Sequence, residues 1–309
     1  MVETILADSM KKIRIATRKS ELALWQARYV GSLLSQGDNE LDVEIVGYTT
    51  EGDIRQHESL AEVGGKGLFT QELERALREQ QVDLAVHSMK DVPAVLSESF
   101  DVVVAGERAD VRDALVGAES FLVLPKGSRV GSSSGRRAAQ LVRQNRDLQV
   151  VPIRGNVGTR LEKLRRGEFD ALILACAGLD RLGLGAEVGQ RLDVDFCVPA
   201  PGQGALAVEF FRGREDIAAI AASLRVDRVA TAVETERLVV SRLGADCNTP
   251  LGVYCQRLES GYYVTAVLLT ETGDRCLRVE KKGEDSSDLA EDVAETLLAM
   301  GARELIENV

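Results

Sequence analysis

Between residues 12 and 88, short apolar stretches of strand character alternate with longer amphipathic ones. No other feature constrains the fold as strongly. KIRIAT predicts a strand, and SELALWQARYVGSLLSQ predicts a helix whose Leu22, Trp25, Tyr29 and Leu33 form one apolar stripe at helical spacing. LDVEIVGYTT predicts the next strand. A polar, glycine-rich stretch from Glu51 to Gly67 separates it from a helix in LFTQELERALREQ and a strand in VDLAVHS. This β-α-β-α-β order predicts a parallel sheet covered by helices.

A second set begins near DVVVAGE and runs through SRVGSSS, a helix after Arg136, LQVVPIR, a helix after Thr159 and the apolar strand DALILAC. It predicts a second α/β lobe. VPAPGQG interrupts the pattern, and ALAVEFF is expected to return and complete the first sheet. After Arg225 a long helix to Leu243, three strands near GVYCQRL, GYYVTAVLLT and RCLRVEKKG, and a helix from about Ser287 predict a small α+β domain. The expected division is 1–104 with 205–222, then 105–204, then 227–309. A chain of 309 residues favours two or three domains on length alone.

Two lobes joined by crossing segments imply a cleft facing strand ends and helix N-termini, a setting that suits anions. The arginines fit this. The chain as a whole is acidic, with 38 Lys+Arg against 49 Asp+Glu and a net charge of -11, so its surface should repel nucleic acid and acidic membranes. Yet RIATRKS, GSSSGRR and RGNVGTR set guanidinium groups among small residues whose backbone N–H groups are exposed to the same ligand. Arg18, Arg136, Arg137, Arg154 and Arg160 all fall at predicted strand-to-helix junctions. Singly, each could be an ordinary salt-bridge residue; three such loops together point to a local anion site.

Two phosphate-loop candidates fail. GGKGLF lacks the spacing of a nucleotide-hydrolysing loop, and GQGALA precedes its strand instead of following one. HSMKDVP places Lys90 and Asp91 side by side at the predicted cleft edge. Asp91 is a candidate proton donor and acceptor, with a turn aspartate ahead of Val92 and Pro93 as the alternative. The five cysteines are odd in number and form no CxxC pair, which predicts reduced thiols and argues against a disulfide framework or a zinc site. Cys247, in the loop LGADCNTPLG, is the thiol expected to be most reachable, the alternative being an inert one. With only His57 and His87, a histidine metal centre is excluded and a Ser-His-Asp arrangement is strained. There is no run of eighteen apolar residues and no apolar stretch in MVETILADSMKK, so a cytoplasmic protein without a membrane span is expected.

RIATRKSELALWQ, GGKGLFTQELE, VDLAVHSMKDVP, GSSSGRR, RGNVGTRLEKL, AGLDRLGL, PAPGQGALAVE and the Cys247 loop together resemble the porphobilinogen deaminase (hydroxymethylbilane synthase) family, in order from about Arg14 onward. The resemblance implies two lobes similar to a periplasmic-binding-protein fold and a third domain bearing the cysteine. It implies a dipyrromethane cofactor joined to Cys247 by a thioether, onto which four porphobilinogen units are added with loss of ammonia before hydroxymethylbilane is released by hydrolysis. Asp91 matches the family's catalytic aspartate, which serves proton transfer and stabilises cationic pyrroles. Lys90, Ser132, Ser134, Arg136, Arg137, Arg154, Arg160 and Arg181 are implied cofactor contacts. Arg18, Ser20, Gln26, Lys66, Ser88, Arg154, Arg160 and Gln203 are implied substrate contacts.

The resemblance further implies a transferase of tetrapyrrole biosynthesis, with no metal, expected to be a monomer that could hand its product to a uroporphyrinogen-III synthase. Three positions depart from the common pattern: Glu62 replaces a basic residue, Gly135 a bulkier one and Asp246 a glycine. The charge of Asp246 is expected to disfavour the Cys247 thiolate. The competing reading is a non-catalytic module that captures an organic polyanion between two lobes. It leaves Asp91 beside Lys90, and the loop thiol, without a role. A transcriptional regulator's effector domain is a weaker choice, since no helix-turn-helix precedes the first strand.

Overall fold

The computed structural model describes residues 11–54, 70–246 and 248–307. Two five-stranded sheets and one three-stranded sheet organise them. The first sheet runs, in spatial order, Leu41–Tyr48, Lys11–Arg18, Leu84–Ser88, Leu206–Phe211 and Phe100–Ala105. Its first three strands are parallel, but Leu206–Phe211 is antiparallel to both neighbours, so the sheet is mixed where a parallel one was predicted. The cause is the chain path. The segment returns from the second lobe at the end of the sheet where Leu206 lies opposite Ser88 and Ala105, and must run back along the sheet from there. Phe100–Ala105 also belongs here, all but its last residue on the first-lobe side of the expected boundary at 104, although DVVVAGE reads as the head of the second set of elements.

The helix Glu21–Gly37 covers one face, started by Ser20, whose hydroxyl accepts from Ala23 N. Its buried residues are Ala23, Gln26, Ala27, Val30, Gly31 and Leu34, not the predicted stripe. Small side chains are what let the helix lie close to the sheet: a Cβ on Gly31 would sit 3.1 Å from Val43. Trp25 and Tyr29 instead stack on each other along the flank at 5.3 Å, only half-buried.

The second sheet repeats the scheme: Gln149–Val151, Arg129–Gly131, Ala171–Ala175, Asp113–Val116 and Val188–Leu192. Again the first three strands are parallel and the fourth is antiparallel to both neighbours. In each lobe the fourth strand is the one that has just crossed from the other lobe. The third unit is an antiparallel meander of Leu251–Arg257, Tyr262–Leu269 and Cys276–Gly283, packed on the helices Asp227–Leu243 and Ser286–Ala299 through Val239, Val253, Val264, Val293 and Leu297. Among the described residues, no helix is long and apolar enough to cross a membrane.

The two crossing segments touch at Gly204, whose carbonyl accepts from Ala109 N at 3.1 Å. Gly204 has φ +87°, and a Cβ there would lie 2.5 Å from the Ala109 carbonyl oxygen. Both its backbone conformation and its contact therefore require glycine. Gly204→Ala is expected to lower stability by about 1–3 kcal/mol, read as a shift in the urea midpoint. An unchanged midpoint would show that the crossings can separate freely.

Candidate active site at the strand ends between the lobes

The carboxyl ends of the parallel strands and the loops that follow them carry most of the predicted site residues. In the first lobe, Arg18 ends its strand half-buried, and Ser20 serves as the cap of the next helix. Ser88 ends the third strand and accepts from Gln26 Nε2 at 2.8 Å. A 3-10 turn over Met89–Asp91 follows, tied to the second crossing by Met89 N donating to the Ala205 carbonyl at 3.0 Å. Met89 is buried, Lys90 is half-buried and Asp91 is exposed. Lys90 Nζ lies 3.4 Å from Gln203 Oε1.

In the second lobe, the loop after Arg129–Gly131 leads into the helix Gly135–Gln144. Ser134 caps it by accepting from Arg137 N, and Ser132 Oγ accepts from Ser134 N at 3.3 Å. Ser133 exchanges two bonds with Ile153, at 2.6 and 2.9 Å, and so joins this loop to the one bearing Arg154 and Arg160. Arg160 Nε donates to the Gly155 carbonyl at 2.8 Å. Arg181, at the end of the helix Cys176–Arg181, donates to the Gly204 carbonyl at 2.7 Å and lies 5.6 Å over the Trp25 ring, so it spans both lobes at their crossing.

Arg136 and Arg137 are nearly buried, and both converge on Asp113, which the sequence reading missed. Arg137 donates to Asp113 Oδ1 from Nε at 2.9 Å and Nη2 at 2.7 Å; Arg136 Nη2 meets Oδ2 at 2.8 Å. Gln203 Nε2 adds a bond at 2.9 Å. Burial alone would raise the Asp113 carboxyl, yet the two guanidinium groups and the Arg137 and Gln203 bonds hold it well below the usual range. Asp113 also pushes the buried Cys197 thiol further up, to about 12 after the effect of burial, so that thiol is inert.

The cations beside it are under-compensated. Lys90 is pushed down to about 8, first by burial and then by the Arg137 charge. Arg160 is pushed down to about 10 by burial, then by Arg137 and Arg154, while Asp91 opposes the shift in both. One carboxylate already shared by two arginines and one exposed aspartate leave a surplus of positive charge. The arrangement can therefore accept further carboxylates, with the exposed Asp91 carboxylate beside it.

Residues 13–219 match the family model described as porphobilinogen deaminase, dipyromethane cofactor binding domain, and residues 230–299 match the porphobilinogen deaminase C-terminal domain. The chain belongs to the porphobilinogen deaminase family. A relative from Thiobacillus denitrificans named porphobilinogen deaminase is 44% identical over 302 residues, covering 96% of this chain and 99% of its own. One of the same name from Streptococcus sanguinis is 42% identical over 299 residues, covering 95% and 97%. Among solved structures, a substrate-binding domain of a putative amino acid ABC transporter from Streptococcus pneumoniae is similar at 14% identity and a TM-score of 0.43, covering 69% of this chain and 92% of that one.

Of the predicted site residues, Cys247 and Lys66 lie outside the described residues, as does Glu62. The flanks of Cys247 are described. Asp246 Oδ1 accepts from Asn248 N and Thr249 N at 3.0 and 3.2 Å, so its charge is turned onto backbone donors of its own loop. Gly135 faces the same loop, since a Cβ there would meet the Asn248 carbonyl at 3.4 Å and Pro250 at 3.8 Å. The start of the arginine-bearing helix thus packs on the cysteine loop, where a bulkier residue would press against it.

Besides Asp113, the sequence reading missed Glu236, which is fully buried, receives both Arg108 amino groups at 2.8 and 2.9 Å, and accepts from Gly202 N and Cys255 N. A signal existed: Glu236 occupies the buried stripe of its helix with Val229, Ala232, Val233 and Val240. Asp113 likewise opens a wholly buried strand. A carboxylate at a core position needs a buried cation.

The Lys90 shift fixes a sign. Below about pH 8 the ammonium is charged in folded and unfolded chains alike, and folding bears its full desolvation; from there to its ordinary 10.5 the folded chain loses the proton first, so stability rises with pH. Lys90→Met is therefore expected to exceed the parent in urea midpoint at about pH 7, with the advantage shrinking between 8 and 10.5. A pH-independent difference would contradict the desolvated charge.

Proposed function

We propose that the chain joins porphobilinogen units head to tail with loss of ammonia and releases hydroxymethylbilane, as a transferase of tetrapyrrole biosynthesis. The observation that carries this is the pair of half-buried cations with lowered proton affinity, Lys90 and Arg160, beside the exposed Asp91. Porphobilinogen bears an acetate and a propionate on its ring, so a growing chain brings carboxylates in pairs, and depressed cation pKa values are relieved by such partners. A dipyrromethane cofactor has the same carboxylates and fits the same donor set.

Joined to Cys247 by a thioether, dipyrromethane would supply the free pyrrole α-carbon to which the first unit is added. Lys90, Ser132, Ser134, Arg136, Arg137, Arg154, Arg160 and Arg181 are the groups proposed to hold it. The serine hydroxyls that accept in their caps still have a proton to donate. Arg136 and Arg137 act here chiefly through the charge they leave unneutralised around Asp113. Arg18, Ser20, Gln26, Ser88, Gln203 and Lys66 are proposed to bind incoming substrate with Arg154 and Arg160. Asp91 would give a proton to the departing amine and later take the α-proton, helped by exposure to the cleft for exchange between turns.

Residues 1–104 with 205–222, 105–204 and 227–309 would form its three domains. The chain would act as a cytoplasmic monomer able to hand its product to a uroporphyrinogen-III synthase. The free thiols Cys176, Cys197, Cys255 and Cys276 suit a reducing compartment.

Intact-mass measurement tests the reading. The parent is expected to carry the mass of a dipyrromethane and to gain single pyrrole increments with porphobilinogen. Cys247→Ala should lack the cofactor, and Asp91→Asn should keep it while turnover falls by about 10²–10⁴. A parent of bare-chain mass, unchanged by porphobilinogen, would leave only capture of a polyanion between the lobes.

A further inference from the structure

The turn that carries Asp91 has little hold of its own. Its backbone closes one 3-10 bond, Val92 N to the Met89 carbonyl at 3.1 Å, and then reaches Pro93, which has no N–H to donate. The carbonyls of Val92, Pro93 and Ala94 all go to one side chain from another part of the fold. Arg237, in the middle of the helix Asp227–Leu243, donates from Nη1 to Val92 O at 3.0 Å and from Nη2 to Pro93 O at 2.7 Å and Ala94 O at 3.4 Å. A planar guanidinium can span successive carbonyls in this way, whereas an ammonium of similar reach cannot.

Packing acts in the same direction. Met89 and Val92 are buried against Val229, Ala230 and Val233 of that helix, and Ala94 packs on the core of the third sheet. One residue before Arg237, Glu236 holds the Gly202 amide, and Gly202 lies over Met89, to which a Cβ would approach within 2.6 Å. The helix therefore grips the Asp91 turn at both ends, and its C-terminal Gly244 stands three residues before Cys247 in the chain.

We infer that Arg237 is a positioning residue for Asp91, fixing the carboxylate-bearing turn to the helix that leads to the cysteine loop. The inference rests on Asp91 being the proton-transfer group. These three bonds all go to backbone carbonyls just after Asp91, so the loss of Arg237 should act on the chemical step more than on substrate binding.

The test uses holoenzyme of the parent, Arg237→Gln, Arg237→Lys and Asp91→Asn, each with its cofactor verified by intact mass. Arg237→Gln is expected to lower kcat by about 10- to 100-fold with KM within about twofold, and Arg237→Lys to fall between it and the parent. Amide hydrogen exchange over residues 89–95 should rise in Arg237→Gln while the second-lobe strands keep the parent's protection. If Arg237→Gln does not fold, the same measurements on Arg237→Lys decide. Unchanged kcat and unchanged 89–95 exchange would overturn the inference, as would an activity loss matched by a uniform rise in exchange. An Asp91→Asn enzyme with full turnover would instead remove the reading of Asp91 itself.

Discussion

A single buried carboxylate, Asp113, is the point where the arginine-bearing helix, the second crossing and the second sheet are tied together. It sits at the first residue of a strand that has just crossed between the lobes, with no solvent exposure, and two guanidinium groups, an amide and a thiol surround it. Such a group is tolerated only because its charge is fully met; leaving one partner uncompensated would cost on the order of 3–5 kcal/mol. The geometry spreads outward from there. Arg136 also donates to the Val198 carbonyl at 2.7 Å, and the Gln140 amide pairs with Val198 N and O, so the arginine helix is fastened to the second crossing. Gln203 then carries the connection to Lys90 in the first lobe.

Glu236 plays the corresponding part for the third unit. Its two oxygens take a bidentate Arg108 from the first crossing, a backbone amide from the second and another from the third sheet. Arg108 Nε also donates to the Gln203 carbonyl at 2.9 Å, so the two buried carboxylates are linked through one residue, Gln203. Three sheets with separate cores thereby share one polar junction. Ionic and amide contacts of this kind set mutual orientation without fusing the hydrophobic cores.

Much of this was legible in the chain. The arginine loops could be placed because each pairs a small-residue stretch with a helix start, a local signal, and the Ser20, Ser134 and Asn156 caps bear it out. Strands such as Ala171–Ala175 were evident from their unbroken apolar run. Asp113–Val116 was not, since four residues carry too little periodicity, and Val188–Leu192 is only partly buried at a sheet edge. The helix stripe was misplaced because large side chains dominate a hydropathy pattern, while close packing on the sheet selected Ala23, Ala27 and Val30. The partners of the charged groups were beyond reach for another reason. Arg108 and Glu236 lie 128 residues apart, and Arg237 and Val92 145, so no local pattern connects them.

The charge distribution joins these observations. In a chain of net charge -11, several surface cations are matched by acids: Arg212, Arg214, Arg225 and Arg228 are each paired with nearby carboxylates. Lys90 and Arg160 lie between the lobes, where burial first and the neighbouring Arg137 charge second lower their proton affinity. That arrangement opposes folding in the absence of a ligand. It follows that any polycarboxylate seated there recovers interaction energy that the folded chain lacks alone, and by linkage stabilises the fold as it binds. The acidic exterior adds selectivity of place, because a polyanion repelled from the general surface is attracted only where the local surplus exceeds the global deficit. On the proposed function, the same few residues set affinity for the growing chain, while Asp91 at their edge is held by something other than these cations. Its turn is held instead by the helix of the third unit.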